Sequence, residues 1–179
     1  MITSKNTSIN KHKVPSVFTK LSKMLYRFPE ITTTFDVGGG KWDTATEYMK
    51  SYGIKNLVYD PHNRTAQHNE TVLDILLQTP KKEVLGIVSN VLNVIQNPTY
   101  RKMILKLSEK LSCITLITVY EGNKSGIGKI TKADCWQENR KIIDYIPEIK
   151  QVFDWLDYHD RIFFASNDRL LLLYYGFVV

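Results

Sequence analysis

Residues 36–43 read Asp-Val-Gly-Gly-Gly-Lys-Trp-Asp, directly after a stretch rich in β-branched residues and directly before one with helical periodicity. Glycines in such a turn let the backbone approach a ligand closely, and the helix that follows offers free N–H groups. Spacing separates the ligand classes that use such turns. A phosphate-cradling G-x-x-x-x-G-K-[ST] loop needs glycine at Phe35 and a hydroxyl at Trp42. A dinucleotide G-x-G-x-x-G loop needs glycine at Asp43. Neither pattern is met, and a D-x-G-x-G turn made by Asp36, Gly38 and Gly40 remains. Asp60 follows Gly40 by 20 residues, at the end of the next apolar stretch. A carboxylate there can accept two hydrogen bonds from vicinal ribose hydroxyls.

The elements that hold these residues follow from periodicity and punctuation. Residues 16–26 begin after Pro15 and carry Val17, Leu21, Met24 and Leu25 at helical spacing, which predicts an amphipathic helix packed on the domain. Strands are predicted at residues 32–37, 56–60, 84–89 and 114–120. Helices are predicted after the glycine turn, at about 70–77, and at 100–111. Thr44 and Glu47 have capping-box spacing, and Gly53 is the stop signal of the first of these helices. Strands apolar on both faces and alternating with helices imply a mostly parallel, doubly wound α/β sheet with helices on both faces. Towards the end, a Gly-rich loop at 122–128 precedes a helix expected over about 131–145. Residues 161–165 and 170–174 flank Asn167-Asp168 and predict an antiparallel hairpin that closes the sheet. Residues 1–30 form a basic arm and helix, and 31–179 one ligand-binding domain.

Several segments together resemble a known family. Phe35 to Asp43, the Val-Tyr-Asp-Pro-His-Asn-Arg run at 58–64, the run from Ser89 to Arg101 and the Gly-Lys-Ile-Thr-Lys-Ala-Asp-Cys-Trp-Gln run at 128–137 resemble small methyltransferase-like proteins. That group includes phage-encoded members and the methyltransferase-like protein associated with DNA phosphorothioation. The D-x-G-x-G turn resembles motif I of class I S-adenosylmethionine-dependent methyltransferases. The resemblance implies the Rossmann-like class I methyltransferase fold and S-adenosyl-L-methionine as cofactor. Asp36, Gly38, Gly40 and Asp60 would bind it, with Gly39, Pro61, Ser89 and Asn90 in the same turns and strand end. Asn90 and Asn93 would contribute to the reaction pocket. Amino-methylating DNA enzymes carry a polar or acidic residue, two prolines and an aromatic at the end of this strand. This chain has Ser89-Asn90-Val91-Leu92 there. Asn97-Pro98-Thr99-Tyr100 lies eight residues beyond Ser89 and reads instead as the start of a helix. Lys41 and Trp42 depart from the smaller residues common in the family, and Trp42 can stack on the ligand or crowd it.

Beyond the cofactor, Glu121 at the fourth strand's end is either a general base or a rim carboxylate paired with a lysine. The loop from 122 to 132 and the residues after it bring Lys129, Trp136 and Gln137. These either form a lid that clamps a phosphodiester and stacks a base, or a surface loop with Trp136 as a buried anchor. His62 and His68 either reach the ligand or bond locally. Net charge is +6, and residues 1–30 hold Lys5, Lys11, Lys13, Lys20, Lys23 and Arg27 against Glu30 alone. Such an arm either attracts nucleic acid or serves as a solvated tail.

With 43% apolar and 23% charged residues the composition is that of a soluble globular chain, and no apolar run approaches the roughly 20 residues of a membrane span. Cys113 and Cys135 lack C-x-x-C spacing, which argues against a metal site and for a reducing cytoplasm, bacterial or phage-infected. Three functions stay open: methyl transfer to a nucleic-acid or nucleotide-like acceptor, cleavage or sequestration of the cofactor, and non-catalytic nucleic-acid binding.

Overall fold

A computed structural model describes residues 11–132 and 134–177; Lys5 of the basic arm lies outside the described residues. Helix α1 (Ser16–Met24) begins after Pro15 and runs into a short 3-10 turn. Strand β1 (Thr33–Val37) leads through the glycine turn to α2 (Thr44–Lys50), followed by β2 (Lys55–Tyr59), α3 (Ala66–Gln78), β3 (Val84–Ser89), α4 (Pro98–Leu111) and β4 (Ile114–Thr118). The last third holds a small hairpin, β5 (Lys129–Lys132) with β6 (Cys135–Gln137), then the one-turn α5 (Ile146–Ile149), β7 (Trp155–His159), β8 (Ile162–Ser166) and α6 (Arg169–Tyr174).

The main sheet has the order β2-β1-β3-β4-β8-β7. The first four strands are mutually parallel and β8 runs antiparallel to both neighbours. This is the Rossmann-like doubly wound arrangement expected, with a C-terminal antiparallel hairpin at one edge. The two faces of the sheet separate by strand alternation. Val84, Val88, Phe35 and Ile117 pack against Val72 of α3, Leu105 of α4 and Ile149 of α5. Leu85, Ile87, Leu116 and Phe164 pack against Phe18 of α1, Met49 of α2 and Leu172 of α6. Val17, Phe18 and Leu21 are wholly buried. At about 1.5–3 kcal/mol for each such side chain, α1 is part of the core.

Three local expectations are corrected. The capping box at Thr44 and Glu47 is not formed: Asp43 precedes the helix without a side-chain cap, and the Thr44 hydroxyl donates to the Lys11 carbonyl at 2.8 Å. The helix expected over 131–145 is the β5–β6 hairpin followed by a 3-10 turn at Ile142–Tyr145. All four β5 residues are exposed, so the strand carries no alternation to read. The closing hairpin pairs β7 with β8 rather than 161–165 with 170–174. The Leu-Leu-Leu-Leu run is helical because the Asp168 side chain accepts from Leu171 N, making Asp168 an N-cap rather than a turn residue.

Candidate functional site

The chain order reverses across β1, with β2 on one side and β3 on the other, and α/β sheets bind ligands at the carboxyl ends of strands at such a point. Register brings the three ends level. Asp36 pairs with Val58 and Ile87, so Gly38, Asp60 and Ser89-Asn90 emerge at one edge. A cleft of about 1000 Å³ opens there, lined by Gly38, Gly39, Gly40, Asp60, Pro61, Ser89, Asn90 and Asn93 among others. That volume lies at the upper end for small-molecule sites.

The glycine turn is fixed from beneath and from the side. Gly38 and Gly40 have φ of +78° and +79°, the left-handed region that side chains resist. Gly38 N donates to the Tyr59 carbonyl at 2.7 Å, and a Cβ at Gly38 would press on Val91. A Cβ at Gly39 would overlap the Asp36 carboxylate, whereas one at Gly40 would meet open space. Asp36 is therefore the support under the turn and not part of the cleft lining. Burial pushes its carboxyl up to about 7, and the neighbouring Asp60 charge adds to the shift; Arg64 and Asn56 oppose it.

Asp60 is 4% exposed and its carboxylate is occupied by the protein itself. Oδ2 accepts from Gly40 N at 2.9 Å and from Asn63 Nδ2 at 3.0 Å. Oδ1 accepts from His62 N at 2.9 Å and Asn63 N at 3.0 Å. Two lone pairs on each oxygen are thus engaged. Arg64 extends the clasp, donating from Nε to the Gly40 carbonyl at 2.8 Å and pairing with Asp43 at 2.7 Å. Asn69 holds the Asp60 backbone through both its amide atoms. Asn63, Arg64 and Asn69 were missed from the sequence. The visible signal was three amide or guanidinium side chains within nine residues of the acid.

On the other wall, Ser89 Oγ and Thr118 Oγ1 share a 3.0 Å hydrogen bond, and Asn90 takes φ +58° with its N–H on the Thr118 carbonyl. Asparagine tolerates that conformation better than most residues. Asn93 and Gln137 are both buried and joined by a 3.1 Å hydrogen bond from Asn93 Nδ2 to Gln137 Oε1. Trp136 lines the cleft from β6, its indole N–H held by Glu138 at 2.6 Å. Glu138 also meets Arg101 and Arg140, and both arginines bind Glu148. Arg101, the buried member of this charge group, further donates to the carbonyls of Ile95 and Gln96 and so shapes the cleft wall.

Glu121 and Lys129, both expected at the site, lie off the cleft. Glu121 Oε1 accepts from Ile142 N at 2.8 Å and Oε2 pairs with Lys124 at 3.1 Å, in a separate depression of about 190 Å³. The Ile142 N–H, followed by Lys124, holds its carboxyl below the ordinary range. Lys129 sits on exposed β5, away from the cleft lining. Of the two histidines, His62 lines the cleft, while His68 Nε2 donates to the Val58 carbonyl at 2.9 Å. Lys13, Tyr100 and Tyr120 line the cleft without having been singled out for it. Among the described residues, no group of three or more His, Cys, Asp or Glu side chains is arranged to hold a metal, and no helix is long and apolar enough to cross a membrane.

No protein-family model matches the chain, and no curated protein matches its sequence. Among solved structures it is similar to the N-terminal domain of EvdMO1, crystallised in the presence of SAH and D-fucose. The identity is 10% and the TM-score 0.47, over 83% of this chain and 79% of that chain. Such a distant likeness says nothing about the ligands of this cleft.

Proposed function

We propose that the protein binds S-adenosyl-L-methionine in the switch-point cleft and transfers its methyl group to a nucleic-acid or nucleotide-like acceptor. The observation that carries this reading is the level meeting of the glycine turn, Asp60 and Asn90 around one large cleft. The residues fit such a ligand. The open space beside Gly40 lets a ligand lie against the backbone, and the amide oxygen of the buried Asn93 has no hydrogen-bond partner among the described residues. When bound, the cofactor supplies an electrophilic methyl group.

The chain's own residues bind and orient. Gly38, Gly39 and Gly40 form the floor, and the Asp60 clasp keeps the turn rigid, which limits the entropy lost on binding. Pro61, Ser89 and Asn90 complete the cofactor side, and Asn90 is the polar group at the reacting end. Trp136 and Tyr100 offer aromatic faces for a base, and Asn93 and Gln137 line the same cleft. Lys13 and Lys41 supply positive charge at the cleft for a phosphate-bearing acceptor.

One observation favours a second reading. Among the described residues lining the cleft, Asp60 is the only carboxylate, and its acceptor positions are filled. No free carboxylate there stands ready to take an acceptor's proton, which suits cleavage or sequestration of the cofactor. Calorimetric titration of S-adenosyl-L-methionine into ligand-stripped protein tests the shared claim. Micromolar binding supports it, and absence of binding to folded protein overturns it. Product analysis then separates the readings: S-adenosylhomocysteine marks transfer, methylthioadenosine with homoserine lactone marks cleavage, and unchanged ligand marks sequestration.

A further inference from the structure

Helix α4 carries a row of positive charge outside the cleft lining. Lys102, Lys106 and Lys110 stand at i, i+4 and i+8, so they follow one another along one side of the helix. Successive members are separated by a rise of about 6 Å. Lys102 is half-buried, and Lys106 and Lys110 are exposed. The other side of the helix is the apolar one, with Ile104, Leu105 and Leu111 buried in the core.

The acids nearest in sequence and packing are already engaged. Glu109, the one acid of the helix, pairs with Lys81 at 3.3 Å. Glu148 of α5 binds Arg101 and Arg140. Among the described residues, none of the three lysines forms an ion pair. Like charges four residues apart weaken a helix, so the row opposes folding rather than assisting it.

The row also has a direction. Asn97, Pro98 and Tyr100, at the N-terminal end of the same helix, line the switch-point cleft. Lys102 lies two residues beyond Tyr100, so the row starts near the cleft and leads away from it over about 12 Å. A polyanion with evenly spaced charges matches this arrangement, and a phosphodiester chain is one. An anionic membrane matches it less well. A helix that lies on lipid turns its apolar face outward, whereas that of α4 is buried in the core. A base enters a cleft only after leaving its stack and its pairing partner, which favours one strand over a duplex.

We propose that the lysine row of α4 binds the phosphate backbone of a single-stranded nucleic acid, holding the strand beside the nucleotide that enters the cleft. The inference rests on the nucleic-acid-acceptor reading above and selects a strand over a free nucleotide. The lysines act as point charges and carry no sequence preference.

The test is fluorescence anisotropy of a labelled, mixed-sequence single strand of about 16 nucleotides, titrated with the full chain across a salt series. In the combined Lys102→Ala, Lys106→Ala and Lys110→Ala variant, affinity is expected to fall at least about tenfold at low salt. The slope of log affinity against log salt is expected to become shallower by about 2, at about 0.7 for each lost phosphate contact. A charge-matched variant, Lys23→Ala with Lys50→Ala and Lys55→Ala, removes three exposed lysines elsewhere on the fold and is expected to leave both quantities nearly unchanged. Equal losses in the two variants, or no loss in the first, overturn the inference. Tighter binding of the corresponding duplex also overturns it, as does binding of phosphatidylserine vesicles in place of the oligonucleotide. Where the first variant does not fold, lysine acetylation of the unmodified chain decides. The oligonucleotide is expected to protect Lys102, Lys106 and Lys110 several-fold over Lys23 and Lys50, and uniform labelling overturns the inference. S-adenosylhomocysteine is titrated calorimetrically into the same proteins. Its binding, unchanged in both variants, keeps the cofactor reading standing whatever the oligonucleotide does, and its failure to bind wild-type protein overturns that reading separately.

Discussion

Gly40 and Asp60, 20 residues apart in the chain, are joined directly: the Gly40 N–H donates to Asp60 Oδ2 at 2.9 Å. The acid after β2 is thereby the lock of the turn after β1. Asp60→Ala frees Gly40 N, His62 N, Asn63 N and Asn63 Nδ2 at once. Destabilisation of about 2–4 kcal/mol is expected in urea unfolding, since buried donors lose their acceptors. Loss of ligand binding in that variant alone thus has a structural cause. Asn63→Ala, which opens one acceptor position on Oδ2, is expected to leave the fold within about 1 kcal/mol of wild type and to preserve binding.

Gly39 and Gly40 are expected to differ on substitution. Gly39→Ala drives a methyl group into the Asp36 carboxylate and should cost about 2–3 kcal/mol or more, because backbone and a buried acid must both move. Gly40→Ala meets no atom and carries only the left-handed strain at φ +79°, about 1 kcal/mol. Paired thermal melts check the order, and a reversal would mean that Asp36 does not support the turn.

Stability should fall as pH rises from about 4 to about 7. Asp36 keeps its proton to about pH 7 when folded but releases it near 4 when unfolded, so the folded state binds more protons across that interval. The stabilisation is complete below the unfolded value and is lost as pH passes through the folded one. Urea midpoints measured at pH 5 and pH 8 should differ accordingly. In Asp36→Asn, which cannot titrate, this contribution to the difference should vanish.

Arg101 is the charge on which the second wall depends. Its guanidinium binds both oxygens of Glu148, at 2.6 and 3.0 Å, and two carbonyls of the cleft segment. Arg101→Ala is expected to destabilise by about 3–5 kcal/mol, much of it from Glu148 and the carbonyls left without this donor. Arg101→Lys should recover little, because an ammonium cannot reproduce the bidentate fork. Denaturation curves of the two variants decide this.

What the sequence made legible was whatever depends on local chemistry. Strand β3 falls at residues 84–89 as read, and β1 and β2 within a residue of expectation, because β-branched apolar runs bounded by glycine or proline leave little choice. The turn of α4 at Asn97-Pro98 was equally legible from its cap: Asn97 Oδ1 accepts from Thr99 N and Tyr100 N. The last third resisted, since β6 has three residues and β5 no buried side, so neither shows a period. At the site, the meeting of Gly38–Gly40 with Asp60 follows from the order of strands and turns. The direction of a carboxylate does not. Glu121 turns towards Ile142 because that backbone N–H arrives from a segment 21 residues later, a long-range contact with no local signature.

The sheet order has a consequence for biosynthesis. Strand β8 lies between β4 and β7, so the free edge of β4 finds its neighbour only when residues 162–166 have been made. Until then Leu116 and Ile117, fully buried in the finished protein, border an open edge able to pair with another nascent chain. The stack of Phe164 on Phe177, with ring centroids 4.2 Å apart, completes the same core on the face that α1 covers. An emerging polypeptide therefore carries α1 without these packing partners until residues 164–177 have been made, and the window for chaperone capture stays open until then.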